Sequence, residues 1–123
     1  MTDSSMLKTA PFLYLVTMWV NPKEGHRVIE WLDSTHIAEI LTQPGFLWAQ
    51  RVRLQQTAKD GWHAHQLIYA LESAEALDAY QKGPMREKFS RQARERFAQQ
   101  DLRFEELVRA ERVWGVVEKT LEA

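Results

Sequence analysis

The stretch Phe12–Asn21 (FLYLVTMWVN) constrains the fold more than any other part of the chain. It is rich in aromatic and β-branched residues and is closed by Pro22, so it reads as a strand. Successive side chains of a strand point to opposite faces. Here both faces are apolar: Phe12, Tyr14, Val16, Met18 and Val20 on one, Leu13, Leu15 and Trp19 on the other. A strand half open to water would alternate with polar residues instead, so this one needs cover on both sides.

The remaining elements follow from changes of period and from breakers. From Lys23 to Gln43 the spacing is helical, with Val28, Leu32, Thr35 or His36, and Ile40 recurring at steps of three and four and Trp31 beside them. Pro44-Gly45 ends it. A strand over Phe46–Gln55 carries Arg51 and Arg53, and Lys59-Asp60-Gly61 signals a hairpin into a partner strand over Trp62–Glu72. Ser73 is placed to cap a helix over Ala74–Lys82, which Gly83-Pro84 interrupts. A second helical stretch from Met85 aligns Phe89, Ala93 and Phe97, and Glu106–Glu118 reads as a last strand. Residues 1–11 read as a disordered tail and 12–118 as one domain.

At 123 residues the chain has the size of one domain and needs neither disulfide nor metal to fold. It has no cysteine, which excludes thiol catalysis and thiolate metal sites. Sixteen basic against seventeen acidic residues leave no basic stripe of the kind that nucleic-acid binding needs. No apolar run reaches the ~20 residues of a membrane span, and the first residues lack the apolar stretch of a signal peptide. The expectation is a cytoplasmic protein without nucleic-acid or membrane partners.

A β-α-β-β-α-β order folds most simply as an α+β sandwich, with both helices on one face of a four-stranded antiparallel sheet. The other face would then be bare and apolar. A second copy related by a two-fold axis is the simplest cover, so a homodimer is expected. Two facing sheets would enclose a lumen, a place for a small apolar or aromatic ligand. A monomer with its last strand and tail folded across the bare face is the alternative.

Several strings support the same picture by resemblance. Trp31-Leu32, Thr35-His36-Ile37-Ala38-Glu39-Ile40-Leu41, Pro44-Gly45-Phe46 and Ala49 resemble the "WL…HIPEML…PGF…A" signature of a small bacterial family of unknown function. That family belongs to the dimeric α/β barrels of ferredoxin-like topology, and the chain more loosely resembles their EthD-like and antibiotic-biosynthesis-monooxygenase-like branches. Tyr69, Leu71-Glu72-Ser73, Ala76-Leu77, Tyr80, Arg96-Phe97 and Arg112-Val113 extend the match. The resemblance implies a ferredoxin-like dimeric α/β barrel. Its members carry out cofactor-free oxygenation, haem degradation, isomerisation and cyclisation, so it implies no single reaction.

Three residues are candidates for catalysis. His36 lies beside the apolar stripe between Leu32 and Ile40, as a proton donor or acceptor or as a histidine that fixes the helix end. His65 shares a strand face with His63, and the pair could hold a metal only with a third ligand that the neighbouring sequence does not supply. The plainer reading is a solvent-facing strand start, and no metal site or cofactor is expected. Arg51, on one strand face with Arg53, would attract a carboxylate or enolate in a lumen, or deter strand pairing at an edge. Trp19, Asn21, His63 and Tyr69 are ligand-binding candidates; the resemblance places an aromatic and an asparagine near the first two. Glycine-rich phosphate loops and hydrolase triads are absent from the sequence. The leading expectation is a cofactor-independent monooxygenase, isomerase or cyclase. Its competitors are a non-catalytic binding module with a solidly packed dimer, and a haem-binding or haem-degrading protein.

Overall fold

The computed structural model describes residues 10–58 and 60–123. Its elements are β1 (Phe12–Val20), α1 (Gly25–Trp31), a π-helical turn (Leu32–His36), α2 (Ile37–Ile40), β2 (Phe46–Thr57), β3 (His63–Leu71), α3 (Ala74–Lys82), α4 (Pro84–Ala98), α5 (Phe104–Leu107) and β4 (Val108–Val116). The strands form one sheet in the order β2-β3-β1-β4, antiparallel throughout. This is the ferredoxin-like α+β sandwich.

β1 sits at the centre, and its burial alternates strictly: Phe12, Tyr14, Val16, Met18 and Val20 are buried, while the residues between them keep some exposure. The buried set meets Val28, Trp31, Leu32 and Ile40 from the first helical segment and Leu77, Phe89, Ala93 and Phe97 from α3 and α4. Full burial of a side chain such as Leu32, Leu77 or Phe97 stabilises by about 1.5–3 kcal/mol. In register with the other β1 face lie Ala64, Ile68 and Ala70 of β3 and Val113 of β4. Val113 is 60% exposed, so among the described residues that part of the apolar face is left uncovered, although Ala64 and Ala70 are themselves buried.

Local chemistry sets the junctions. Ser73 accepts a hydrogen bond from the Ala76 amide at 3.2 Å and caps α3, and Pro84 starts α4 at a position where a missing amide hydrogen costs nothing. Gly45 adopts φ +84°, and a Cβ there would lie 2.5 Å from that of Ala76, so the turn before β2 tucks against α3 only with glycine. Gly61 takes φ +84° in the hairpin between β2 and β3; Lys59 of that expected turn lies outside the described residues.

Two expectations change, and a third falls largely outside the described residues. The helix over Lys23–Gln43 is shorter and is broken by the π turn. Glu106 and Leu107, expected to begin the last strand, instead end a helical turn over Phe104–Leu107, because Leu107 turns inward at 3% exposure and the Glu106 amide bonds back to Arg103. The expected tail over residues 1–11 lies outside the described residues as far as 9; Ala10 is buried, and the Pro11 carbonyl accepts from Val117.

Candidate functional site

His36 closes the π turn. The amide of Ile37 bonds to the Leu32 carbonyl, five residues back, so one extra residue is accommodated between α1 and α2. Such turns recur at functional sites, because the inserted residue redirects its neighbours' side chains. The imidazole stacks on Trp31, with centroids 4.3 Å apart and planes at 20°, and meets Phe89 edge-on at 6.1 Å. Its Nδ1 is buried without a hydrogen-bond partner among the described residues. The residue keeps some solvent contact elsewhere, yet burial, with the nearby Arg112 charge as a second cause, pushes its pKa down to about 4. At neutral pH the ring is uncharged.

Together with Tyr14, Tyr69, Tyr80, Arg86 and Arg112, His36 lines a cavity of about 110 Å³ between the helices and the sheet. Apart from Ser90 the rest of the wall is apolar, with Trp31, Phe89 and Phe104 among its residues. Burial raises the pKa of Tyr69, and that of Tyr80 to about 12, so both phenols stay protonated and able to donate. Among the described residues, the charged side chains on the lining are the two arginines. The cavity therefore offers a neutral acceptor or donor, protonated hydroxyls and positive charge. That is the environment a forming oxyanion requires.

A second, larger space of about 530 Å³ opens where β1 ends, between α1 and the strands β2 and β3. Val20, Asn21, His26, Ile29, Arg51, Arg53, His63 and His65 contribute to it. Arg51 is gripped bidentately by Asp33 of the π turn, through Nε to Oδ1 at 2.8 Å and Nη2 to Oδ2 at 2.7 Å. This pairing holds the Asp33 carboxyl below its usual range. The remaining guanidinium nitrogen, Nη1, lies 3.1 Å from His65 Nδ1. An arginine can only donate, so His65 Nδ1 accepts and the proton of the neutral ring sits on Nε2. Burial first, then Arg51 and Arg53, hold the His65 pKa below its ordinary value.

The sequence-derived candidates thus separate into two groups. His36 and Tyr69 reach the cavity. Arg51, His63, His65 and Asn21 reach the cleft, and Trp19 lines neither space. Asn21 caps the following turn, its Oδ1 accepting from the amides of Lys23 and Glu24. The expected solvent-facing pair at the start of β3 is divided: His63 is exposed, but His65 is 5% exposed beneath Arg51. Three histidines border the cleft, but they form no three-ligand metal group among the described residues. The ligand space was expected between two facing sheets; the cavity within this chain lies on the helix side of the sheet, where β1 presents Tyr14, Val16 and Met18. Sequence reasoning missed Arg112, Tyr14, Tyr80 and Asp33. Arg112 had a signal, being a charge on the strand face that also carries Trp114 and Val116. Asp33 had none, because its position depends on the π turn.

The four-stranded antiparallel sheet with its helices places the chain among the ferredoxin-like α+β domains, and solved structures with that fold superpose on nearly the whole chain. The chain itself belongs to the family described as a domain of unknown function (DUF4286), whose model matches residues 11–110. A monooxygenase from the gene ActVA-Orf6 of Streptomyces coelicolor, in complex with nanaomycin D, is 21% identical; the match covers 93% of each chain at a TM-score of 0.60. SnoaB, a cofactor-independent oxygenase from Streptomyces nogalater, is 16% identical over 93% of this chain and 100% of its own, with a TM-score of 0.57. A dimeric ferredoxin-like protein from an uncultured marine organism is 16% identical, covers 91% and 99%, and scores 0.54. No protein of curated function matches the chain in sequence. Among the described residues no helix is long and apolar enough to cross a membrane.

Proposed function

We propose that the chain binds a small ring-shaped molecule carrying an acidic or enolisable oxygen in the helix-side cavity, and acts on it without a cofactor. The observation that carries this reading is the buried Nδ1 of His36, unpartnered among the described residues, at the wall of a cavity whose charges among those residues are Arg86 and Arg112. An orphaned buried polar atom costs about 1–3 kcal/mol, and a ligand able to bond it recovers that cost. The volume of about 110 Å³ limits a ligand to no more than about one ring, being below the roughly 150 Å³ of an apolar cavity that takes up benzene. His36 would accept the proton of the bound molecule, and Arg112 and the tyrosine hydroxyls would stabilise the resulting anion. Isomerisation or cyclisation needs nothing further, and oxygenation would add only dioxygen. The kinship in fold with a cofactor-independent oxygenase supports the oxygenation variant.

A non-catalytic role is the second reading. It is favoured by the smallness of the cavity against the roughly 300–1,000 Å³ of most ligand pockets. Haem does not fit the cavity, which is far smaller than a porphyrin and keeps its histidine stacked on Trp31.

Titration calorimetry with phenol and with cyclohexanol tests the reading. Phenol is expected to bind the wild type at least tenfold more tightly than cyclohexanol, and His36→Phe to abolish that preference while raising stability by about 1 kcal/mol through removal of the orphaned nitrogen. Equal affinities, or a preference retained in His36→Phe, would leave the histidine structural. Oxygen uptake with an enolisable ring compound then separates oxygenation from isomerisation.

The open face of the sheet supports a homodimer, as does the dimeric state of a ferredoxin-like neighbour. Ile68 lies within that face, opposite Leu15. Ile68→Lys is expected to halve the mass measured by light scattering without unfolding the chain.

A further inference from the structure

We infer that the cleft at the end of β1 is a second binding site, independent of the cavity, for a small molecule carrying a phosphate monoester. Charge selects an oxyanion. Arg51, Arg53, His26, His63 and His65 line the space, and among the described residues no aspartate or glutamate does. Asp33, the acid bonded to the lining residue Arg51, is engaged by it on both oxygens. Arg53 makes no ion pair among the described residues and is exposed on β2.

Donor number selects phosphate over carboxylate. One arginine fork saturates a carboxylate with two parallel hydrogen bonds. Here Arg53 supplies such a fork, and His26, His63 and the Nε2–H of His65 remain on the same lining for a third oxygen. A phosphate monoester presents three terminal oxygens and close to two negative charges at neutral pH.

The floor is built in advance. Asp33 fixes Arg51, and Arg51 fixes the tautomer of His65, so the buried imidazole is held as a donor before any ligand arrives. Val20, Pro22 and Ile29 give the same space an apolar margin, which suits an organic group on the ester oxygen. At about 530 Å³ the space has the size of an ordinary small-ligand pocket.

The test uses the full chain at neutral pH and low ionic strength, with phenyl phosphate, inorganic phosphate and benzoate as probes in calorimetry and amide-shift mapping. Phenyl phosphate is expected to bind at least tenfold more tightly than benzoate, with the largest shifts at Arg53, His63 and His65. Tighter binding of phenyl phosphate than of inorganic phosphate assigns an organic ester; equal binding of the two overturns the ester and leaves a plain phosphate site. Arg53→Gln is expected to weaken phenyl phosphate at least tenfold and His63→Gln about threefold. The exposed helix variant Arg91→Gln is expected to change nothing. Unchanged affinity in the Arg53→Gln/His63→Gln double variant, no preference over benzoate, or an equal loss in Arg91→Gln would each overturn the site. Both key side chains are exposed, and unchanged circular dichroism melting shows that the variants fold.

Discussion

The cavity and the cleft each contain one inward-turned histidine, and they treat it in opposite ways. His36 stacks on Trp31 with its Nδ1 unpartnered among the described residues, in a space lined by aromatic rings. His65 is bonded at Nδ1 by an arginine that an aspartate in turn holds. Both rings are uncharged at neutral pH, because burial depresses both pKa values. The difference is which hydrogen bonds remain to be made. A side chain with an unmet acceptor or donor can respond to a ligand, whereas one with a fixed tautomer can only present what the fold has chosen. The π turn supplies both, with His36 facing the cavity and Asp33 bonded to the floor of the cleft.

Removing the stack is the harshest way to break this contrast. Trp31 is 5% exposed and also meets Phe97 and Phe104 edge-on at 5.7 Å each. Trp31→Ala is expected to cost about 3–5 kcal/mol in urea unfolding. If the two spaces are independent, phenyl phosphate affinity measured well below the denaturation midpoint stays as in the wild type. A parallel loss there would show that the cleft depends on the packing around His36.

Proton linkage gives the next largest effect. The folded-state pKa of His36 lies near 4, below the ordinary value of 6.5. Between these values the unfolded chain binds the proton and the folded one does not, so this histidine's contribution is present above about pH 6.5 and is lost as pH falls toward 4. The full shift corresponds to at most about 3 kcal/mol. Carboxylates titrate in part of the same window, so the measure is the difference between wild type and His36→Gln in urea midpoints at pH 7.5 and 4.5. The variant is expected to lose less stability than the wild type over that interval. Equal losses would mean that water reaches the imidazole in the folded state.

How much of this contrast could be read from sequence follows from the range of each interaction. The two apolar faces of β1, the Ser73 cap and the break at Pro84 are local patterns, and each has its expected place. The same-face placement of His63 with His65 and of Arg51 with Arg53 follows from the period of a strand, and the register across β2 and β3 agrees with it. What the pattern did not contain is which of these residues share a space. Arg51 and Asp33 are separated by 18 residues, and their contact depends on a π turn whose extra residue leaves no mark in an apolar stripe of three- and four-residue steps. Likewise Arg112 reaches His36's cavity only because β4 pairs beside β1.

The smallest effect tests that turn directly. Asp33 is about half exposed, so its pair with Arg51 contributes no more than about 1 kcal/mol, and Asp33→Asn is expected to lower stability by that much or less. Its consequence for the cleft should be larger than its energy. With one carboxylate oxygen replaced by an amide, Arg51 is no longer gripped at both nitrogens, and Nη1 is free to leave His65. The imidazole nitrogen shifts of His65, which in the wild type correspond to the tautomer protonated at Nε2, are then expected to move toward the average of the two tautomers. His36 serves as the internal reference, because its Nδ1 has no hydrogen-bond partner among the described residues and lies away from the Asp33–Arg51 pair. If His65 keeps its wild-type shifts, Arg51 is positioned by the strand rather than by Asp33, and the contrast between the two histidines does not originate in the π turn.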